Sequence, residues 1–315
     1  MPSLAQLELA ARRRVEAWLD AGRLPGLAVE ALTAPLVFAR SERRVTLGAR
    51  APTVGVVGAS LGGSGKTPVA VACVAHLCGL GVPTALVGHG YGGAVAAATL
   101  VTPGASARAV GDEAVVAARA LARVAGASVV VGPTRSSAAA LAVAHGARAL
   151  VLDGSGARGA SLSVLARPPG PTGVGLLASA LGARADATVI VGRPGTESLE
   201  LVGALDLRAL TSLRYGLVTA IARPSRVAAS LLAVGSAPRV TLALGNHGAL
   251  TPADEARAVS LGAAQGVELW VATEKGPLLD ATALGGRPVA LLRHRVELPD
   301  SLRRRLRWLA ATVVA

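Results

Sequence analysis

The 315-residue sequence has few aromatic residues, few cysteines and almost no lysine, and each shortage excludes something. Aromatic residues make up 2% of the chain, and no helix-turn-helix, zinc-finger or ribonucleoprotein motif is present, which argues against nucleic acid as a partner. The cysteines are Cys73 and Cys78 alone, five residues apart in an apolar, helix-like stretch with no Cys or His pair at metal spacing. That excludes a zinc site and a disulfide framework, and both are expected to be core residues in a reducing compartment. No apolar run reaches the roughly 18 residues of a spanning helix, because Glu30 interrupts the best candidate, residues 25–39. The opening residues lack a basic segment followed by an apolar one, so a cytoplasmic protein without a secretory signal is expected.

What is present is a large apolar reserve. A hydrophobic share of 52% against 16% charged residues supplies a sizeable core and excludes disorder. The 38 glycines and 18 prolines follow no period, which excludes collagen-like and low-complexity architectures, and no internal repeat is found. The 32 basic residues against 19 acidic give a net charge of +13, which favours an anionic partner: nucleotide, phospholipid surface or nucleic acid. Only Lys66 and Lys275 are lysines. Where Arg fills nearly every basic position, a Lys marks a need for a compact, flexible ammonium, with chance the plain alternative for either one alone.

Residues 3–20 read as an amphipathic helix, with Ser3 and Gln6 as a candidate capping box and Leu4, Leu7, Ala11, Val15, Trp18 and Leu19 on one face. Arg12, Arg13 and Arg14 flank that face. An interfacial helix on an anionic membrane and an ordinary docked surface helix both fit this pattern. From Thr53 short Val/Leu/Ile/Ala runs alternate with Ala-rich helical segments, as in βαβ units around a parallel sheet, with strands expected at 54–57, 84–87, 128–131, 149–152 and 188–191. After a polar break at 211–215 the pattern restarts, with strands at 217–221, 240–244 and 269–272 and a helix from Ser225. The expected organisation is an N-terminal helical segment over 1–40, a doubly wound nucleotide-binding domain over 41–210 and a smaller α/β lobe over 211–315.

The strongest local signal is S-L-G-G-S-G-K-T-P over residues 60–68, directly after the strand at 54–57 and before an apolar helix, the context a P-loop requires. The backbone N–H groups of Ser60, Gly62, Gly63, Ser64 and Gly65 would curl around phosphates at the positive end of the helix. Lys66 would neutralise the β and γ oxygens, and Thr67 would bind Mg²⁺. Asp153 ends the apolar run 149–152, where a Walker B carboxylate holds Mg²⁺; a turn aspartate before Gly154 is the competing reading, and the P-loop tips the balance toward metal. Asp112 and Glu113 follow a Val-Gly turn and precede an Ala-rich helix, which on the residues alone favours a helix cap.

The strict P-loop pattern has glycine where this chain has Ser60. The form S-x-G-G-x-G-K-T-P resembles the tetraacyldisaccharide 4'-kinase family. The likeness continues in order: Gly90-Tyr91-Gly92-Gly93 is similar to its R-G-Y-G-G, Val110-Gly111-Asp112-Glu113 to its V-G-D-E, and residues 129–135 to its V-x-x-D-R segment. Ile221-Ala222-Arg223-Pro224 then resembles its G-I-A-R-P, Gly245-Asn246-His247 stands where the family has D-H, and Thr273-Glu274-Lys275 where it has T-E-K-D. The resemblance spans 54–279. It implies a P-loop NTPase-type fold that uses ATP and Mg²⁺ to phosphorylate the 4'-hydroxyl of tetraacyldisaccharide 1-phosphate. It further implies that Asp112, assisted by His247, takes the proton from that hydroxyl. The implied partners are the lipid-linked disaccharide and the anionic inner face of the cytoplasmic membrane.

Departures thin the substrate side. The family's D-D-G-x-Q-H reads Leu152-Asp153-Gly154-Ser155-Gly156-Ala157 here, His89 replaces the Arg before G-Y-G-G, Asn246 the Asp before the active-site His, and Gly276 the Asp after T-E-K. A family descendant that binds nucleotide as a scaffold or regulator is therefore the alternative reading.

Overall fold

The computed structural model describes residues 45–47, 51–58, 64–90, 92–156, 159–167, 185–192, 197–202, 206–221, 224–244 and 250–314. The expected amphipathic helix at 3–20, with the rest of segment 1–40, lies outside the described residues. Those described from 45 to 197 and from 296 onward form one compact unit, and Ser198–Arg295 another.

The first unit is built on a seven-stranded sheet. In chain order it contains β1 (Thr53–Gly58), α1 (Lys66–Gly79), β2 (Thr84–Gly88), β3 (Thr99–Leu100), α2 (Ala107–Val110), α3 (Asp112–Leu121), β4 (Ala127–Val131), α4 (Arg135–Ala144), β5 (Ala149–Asp153), β6 (Leu162–Arg167) and β7 (Ala187–Ile190). The strand order is β3-β4-β2-β5-β1-β6-β7, parallel throughout except for the β3–β4 pair. β1, β2 and β5 are near-continuous apolar runs because both sheet faces are covered, which is why they stand out in the sequence. Strand β6 was not anticipated: its serine at 163 interrupts the apolar run, and only pairing with β1 and β7 fixes it as a strand. Alanines 138, 139 and 142 let α4 lie close on Val87, Val130, Leu150 and Leu152. In α1 the buried residues Val69, Ala70, Cys73, Val74 and Leu77 recur at helical spacing.

Both cysteines fall on α1. Cys73 is fully buried, and burial pushes its thiol up to about 12; half-buried Cys78 is raised for the same reason. With so little thiolate, Cys73 in the native protein should react with a disulfide reagent at pH 8 roughly 10³-fold more slowly than a free cysteine. Kinetics of thiol labelling before and after denaturation check this, and fast native labelling of Cys73 would remove it from the core.

The second unit carries β8 (Glu197–Val202), β9 (Tyr215–Thr219), α5 (Pro224–Ala233), β10 (Val240–Ala243), α6 (Pro252–Ala264), β11 (Leu269–Thr273), β12 (Ala283–Leu284) and β13 (Arg287–Val296). Its sheet runs β10-β9-β11-β13-β12, with β8 on β13. Helix α6 begins with a capping box between Thr251 and Asp254 and a proline behind the cap, a start written in the sequence. Tyr215 and Trp270 are fully buried, and a side chain at Gly216 would meet the Trp270 ring at 2.3 Å. After β11, the Glu274 carboxylate accepts from Arg293 Nε at 2.7 Å, and both side chains are largely buried.

The last helix, α7 (Asp300–Val314), was expected with the smaller lobe but belongs to the first unit. Leu302, Leu306, Leu309 and Ala310 form its buried face, and it packs on α1 and β7. Each leucine so buried contributes about 1.5–3 kcal/mol, which explains why the chain returns there. Among the described residues no helix is long and apolar enough to cross a membrane.

Candidate nucleotide site

Because β1, β2, β4 and β5 are parallel, their C-terminal ends share one edge of the sheet. That edge is where doubly wound sheets bind ligands. It collects Ser64 and Gly65 at the start of α1, Gly90 after β2, Arg135 after β4 and Asp153 at the end of β5.

The loop enters α1 through Gly65, whose φ of +78° is left-handed and whose absent Cβ would stand 2.7 Å from Val191. At Gly58 a Cβ would lie 2.3 Å from Ser64 Oγ and 2.9 Å from Lys66 Cδ, so the end of the strand is kept bare for the loop. Lys66 Nζ donates to Ser64 Oγ at 3.4 Å, and Thr67 Oγ1 donates to Asp153 Oδ2 at 2.6 Å. Ser60, Gly62 and Gly63 lie outside the described residues, as do His247 and Asn246.

The structure thus brings Ser64, Lys66, Thr67 and Asp153 together. The Asp153 carboxyl is held above the ordinary carboxylate range, first by burial and then by the negative charge of Glu113; the Thr67 hydroxyl, Lys66 and Arg135 pull it back. A buried carboxylate with a hydroxyl against it is a hard-oxygen donor pair, and it fits Mg²⁺. Leu152, where the family has an acid, is fully buried in the core formed with Val87 and Val130, so at this strand end the carboxylate comes from Asp153.

Two residues were not placed in the site from sequence alone. Arg135 Nη2 donates to the Asp153 carbonyl at 2.9 Å, while its buried Nε has no hydrogen-bond partner. Burial lowers the Arg135 pKa and the charges of Asp153 and Glu113 raise it, so the guanidinium stays charged. A Cβ at Gly154 would lie 3.5 Å from Lys66 Cε and 3.6 Å from Arg135 Nη2, so both cationic side chains crowd the space that this glycine leaves open. Glu113 is the other such residue, through its field at Asp153 and Arg135. The match to V-x-x-D-R contained the signal for Arg135, but its use depends on strands that meet only in the fold.

Asp112 opens α3, and its Oδ1 accepts from the Glu113 N–H at 2.8 Å. The turn before it is clamped by the loop after β2: a Cβ at Gly93 would stand 2.5 Å from Gly111 N and 2.7 Å from the Val110 carbonyl carbon. The Ala94 N–H also donates to the Arg108 carbonyl at 3.0 Å. The G-Y-G-G and V-G-D-E motifs are therefore one backbone-packed structure, which accounts for glycine at 93.

A parallel sheet, a glycine loop feeding a helix and a strand-end aspartate bonded to the loop threonine define a P-loop NTPase-type protein of the doubly wound class. The profile of the family described as LpxK, tetraacyldisaccharide-1-P 4'-kinase, matches residues 30–155. The tetraacyldisaccharide 4'-kinase of Methylobacterium sp. strain 4-46 is 32% identical over 317 aligned residues, covering 90% of this chain and 92% of its own length. The enzyme of the same name from Xanthobacter autotrophicus is 32% identical over 71% of this chain and 73% of its own. The chain belongs to the tetraacyldisaccharide 4'-kinase family. The crystal structure of LpxK from Aquifex aeolicus in complex with ATP shares the fold, with a TM-score of 0.61 at 16% identity, covering 91% of this chain and all of that one.

Proposed function

We propose that this protein transfers the γ-phosphate of ATP to the 4'-hydroxyl of tetraacyldisaccharide 1-phosphate. The observation that carries the reading is family membership along nearly the whole chain, joined to a P-loop whose Lys66, Thr67 and Asp153 converge.

The backbone N–H groups of Ser60 to Gly65 would bind the phosphates at the positive end of α1. Lys66 places its ammonium on the β and γ oxygens, where charge spreads in the loose transition state of phosphoryl transfer. Arg135, held on the Asp153 carbonyl, adds a second fixed cation beside Lys66. Thr67 and Asp153 would hold Mg²⁺, which would supply charge neutralisation for the nucleotide's phosphates. Asp112, assisted by His247, receives the proton of the attacking sugar hydroxyl. The N-terminal segment 1–40, through Arg12, Arg13 and Arg14, contacts the anionic inner face of the cytoplasmic membrane, where a lipid-linked substrate resides.

Purified protein incubated with labelled ATP and tetraacyldisaccharide 1-phosphate is expected to yield a bisphosphorylated lipid. Binding of ATP without labelled lipid would overturn the kinase reading and leave a nucleotide-binding scaffold.

A further inference from the structure

Of the two lysines in the chain, Lys66 has a place in the proposed reaction and Lys275 has none. Strands β9, β10, β11 and β13 of the second unit are parallel, so their C-terminal ends share one edge, where open α/β sheets bind ligands. Three of the matched motifs follow in sequence from strands that end there. Ile221-Ala222-Arg223-Pro224 comes after β9, Gly245-Asn246-His247 after β10, and Thr273-Glu274-Lys275 at the end of β11.

The turn that carries Lys275 is braced on several sides. Glu274 is buried, its carboxylate accepts from Arg293 Nε at 2.7 Å, and its N–H donates to the Leu292 carbonyl at 3.3 Å. Thr273 Oγ1 donates to the Lys275 carbonyl at 3.3 Å. Gly276, with a φ of +124°, packs where no side chain fits, since a Cβ would stand 2.5 Å from the Ala220 Cβ just past β9. Gly276 stands where the family has an acid, so the residue after Lys275 carries no carboxylate here. At the end of β9, one residue beyond the Val218–Ala272 pair, Thr219 is 1% exposed, and its Oγ1 has no hydrogen-bond partner among the described residues. A buried hydroxyl without a partner is costly, and a polar ligand at this edge would satisfy it.

We infer that Lys275 binds a phosphate group at this edge of the second unit, either a phosphate of the nucleotide or the 1-phosphate of the acceptor. A compact ammonium on a flexible stem suits a phosphate oxygen, and a braced turn lowers the ordering cost of holding it. The site rests on the fold of the second unit; the two sources of phosphate rest on the proposed kinase reaction.

Because the chain has two lysines, brief acylation of the full protein followed by peptide mass analysis reads each one separately. The probes are ATP with Mg²⁺, detergent-dispersed tetraacyldisaccharide 1-phosphate, and the same disaccharide without its phosphate. Shielding of Lys66 by ATP is the internal control. Acylation of Lys275 should slow roughly tenfold or more under one phosphate-bearing probe and not under the phosphate-free disaccharide, and the probe that shields it identifies the source. Lys275→Ala should raise the dissociation constant of that probe by roughly 10- to 10²-fold, the worth of one charge-assisted hydrogen bond, and Lys275→Arg should recover most of the loss. Circular dichroism and melting temperature serve as controls; if Lys275→Ala melts early, Lys275→Met, which keeps the apolar stem, takes its place. Equal acylation of Lys275 with and without both phosphate-bearing probes overturns the inference. So does shielding without any loss of affinity in the substituted protein, because a movement of the turn then covers the amine. Should Lys275 be shielded as expected while no lipid is phosphorylated, the kinase reading falls and this site stands; phosphorylated lipid with Lys275 unshielded does the reverse.

Discussion

Replacing Lys66 with alanine is expected to lower phosphoryl transfer by at least roughly 10²- to 10³-fold, the loss typical of removing one preorganised donor from a developing charge. Within the described P-loop Lys66 is the charged side chain, and its path past bare Gly58 and Gly154 aims it at the same edge as Asp153 and Arg135. Melting temperature must be read alongside, because Lys66 also bears on the buried Asp153 carboxyl. Arginine should not restore activity. A guanidinium is bulkier than an ammonium, and Arg135 Nη2 already stands near Gly154, 3.6 Å from where its Cβ would be. Steady-state phosphorylation with melting temperature as the control checks both variants. Wild-type turnover in Lys66→Ala would remove Lys66 from the phosphate site.

What was legible in the sequence was what depends on short spacing. Lys66 and Thr67 follow a strand and start a helix, and Asp153 ends an apolar run, so linear order already gave their places. Arg135 and Glu113 were not legible as site residues, since their approach to Asp153 is made by strands β4 and β5 and helix α3, which meet only when folded. Helix α7 was missed for another reason. Its run of arginines dominates the composition, while the signal for burial is the spacing of Leu302, Leu306 and Leu309 within that run. The long strand β13, paired with β11 and with β12 and β8, opens with Arg287 and Pro288 and carries Arg293, His294 and Arg295, which concealed it.

Asp112→Asn is expected to cut lipid phosphorylation by roughly 10²- to 10⁴-fold while leaving ATP affinity nearly unchanged, as the loss of a general base does. The structure makes this substitution cleaner than the sequence could. Asp112 Oδ1 accepts from the Glu113 N–H at the start of α3, and asparagine keeps a carbonyl oxygen able to accept that bond. The first turn should therefore survive in the asparagine variant, whereas Asp112→Ala loses the acceptor; because Gly111, and not the expected Asp112, is the N-cap, the cost should be that of one hydrogen bond, about 0.5–1.5 kcal/mol. Comparing the two separates chemistry from folding: equal activity losses with unequal stability losses assign Asp112 to the proton. His247→Ala should lower the rate in the same direction, and the double variant should lose less than the product of the single effects, because groups that act as one unit are non-additive. Asn246, standing where the family has an acid, offers no carboxylate to take over. If Asp112→Asn melts early yet phosphorylates at the wild-type rate, the carboxylate is a helix-start device and the proton goes elsewhere.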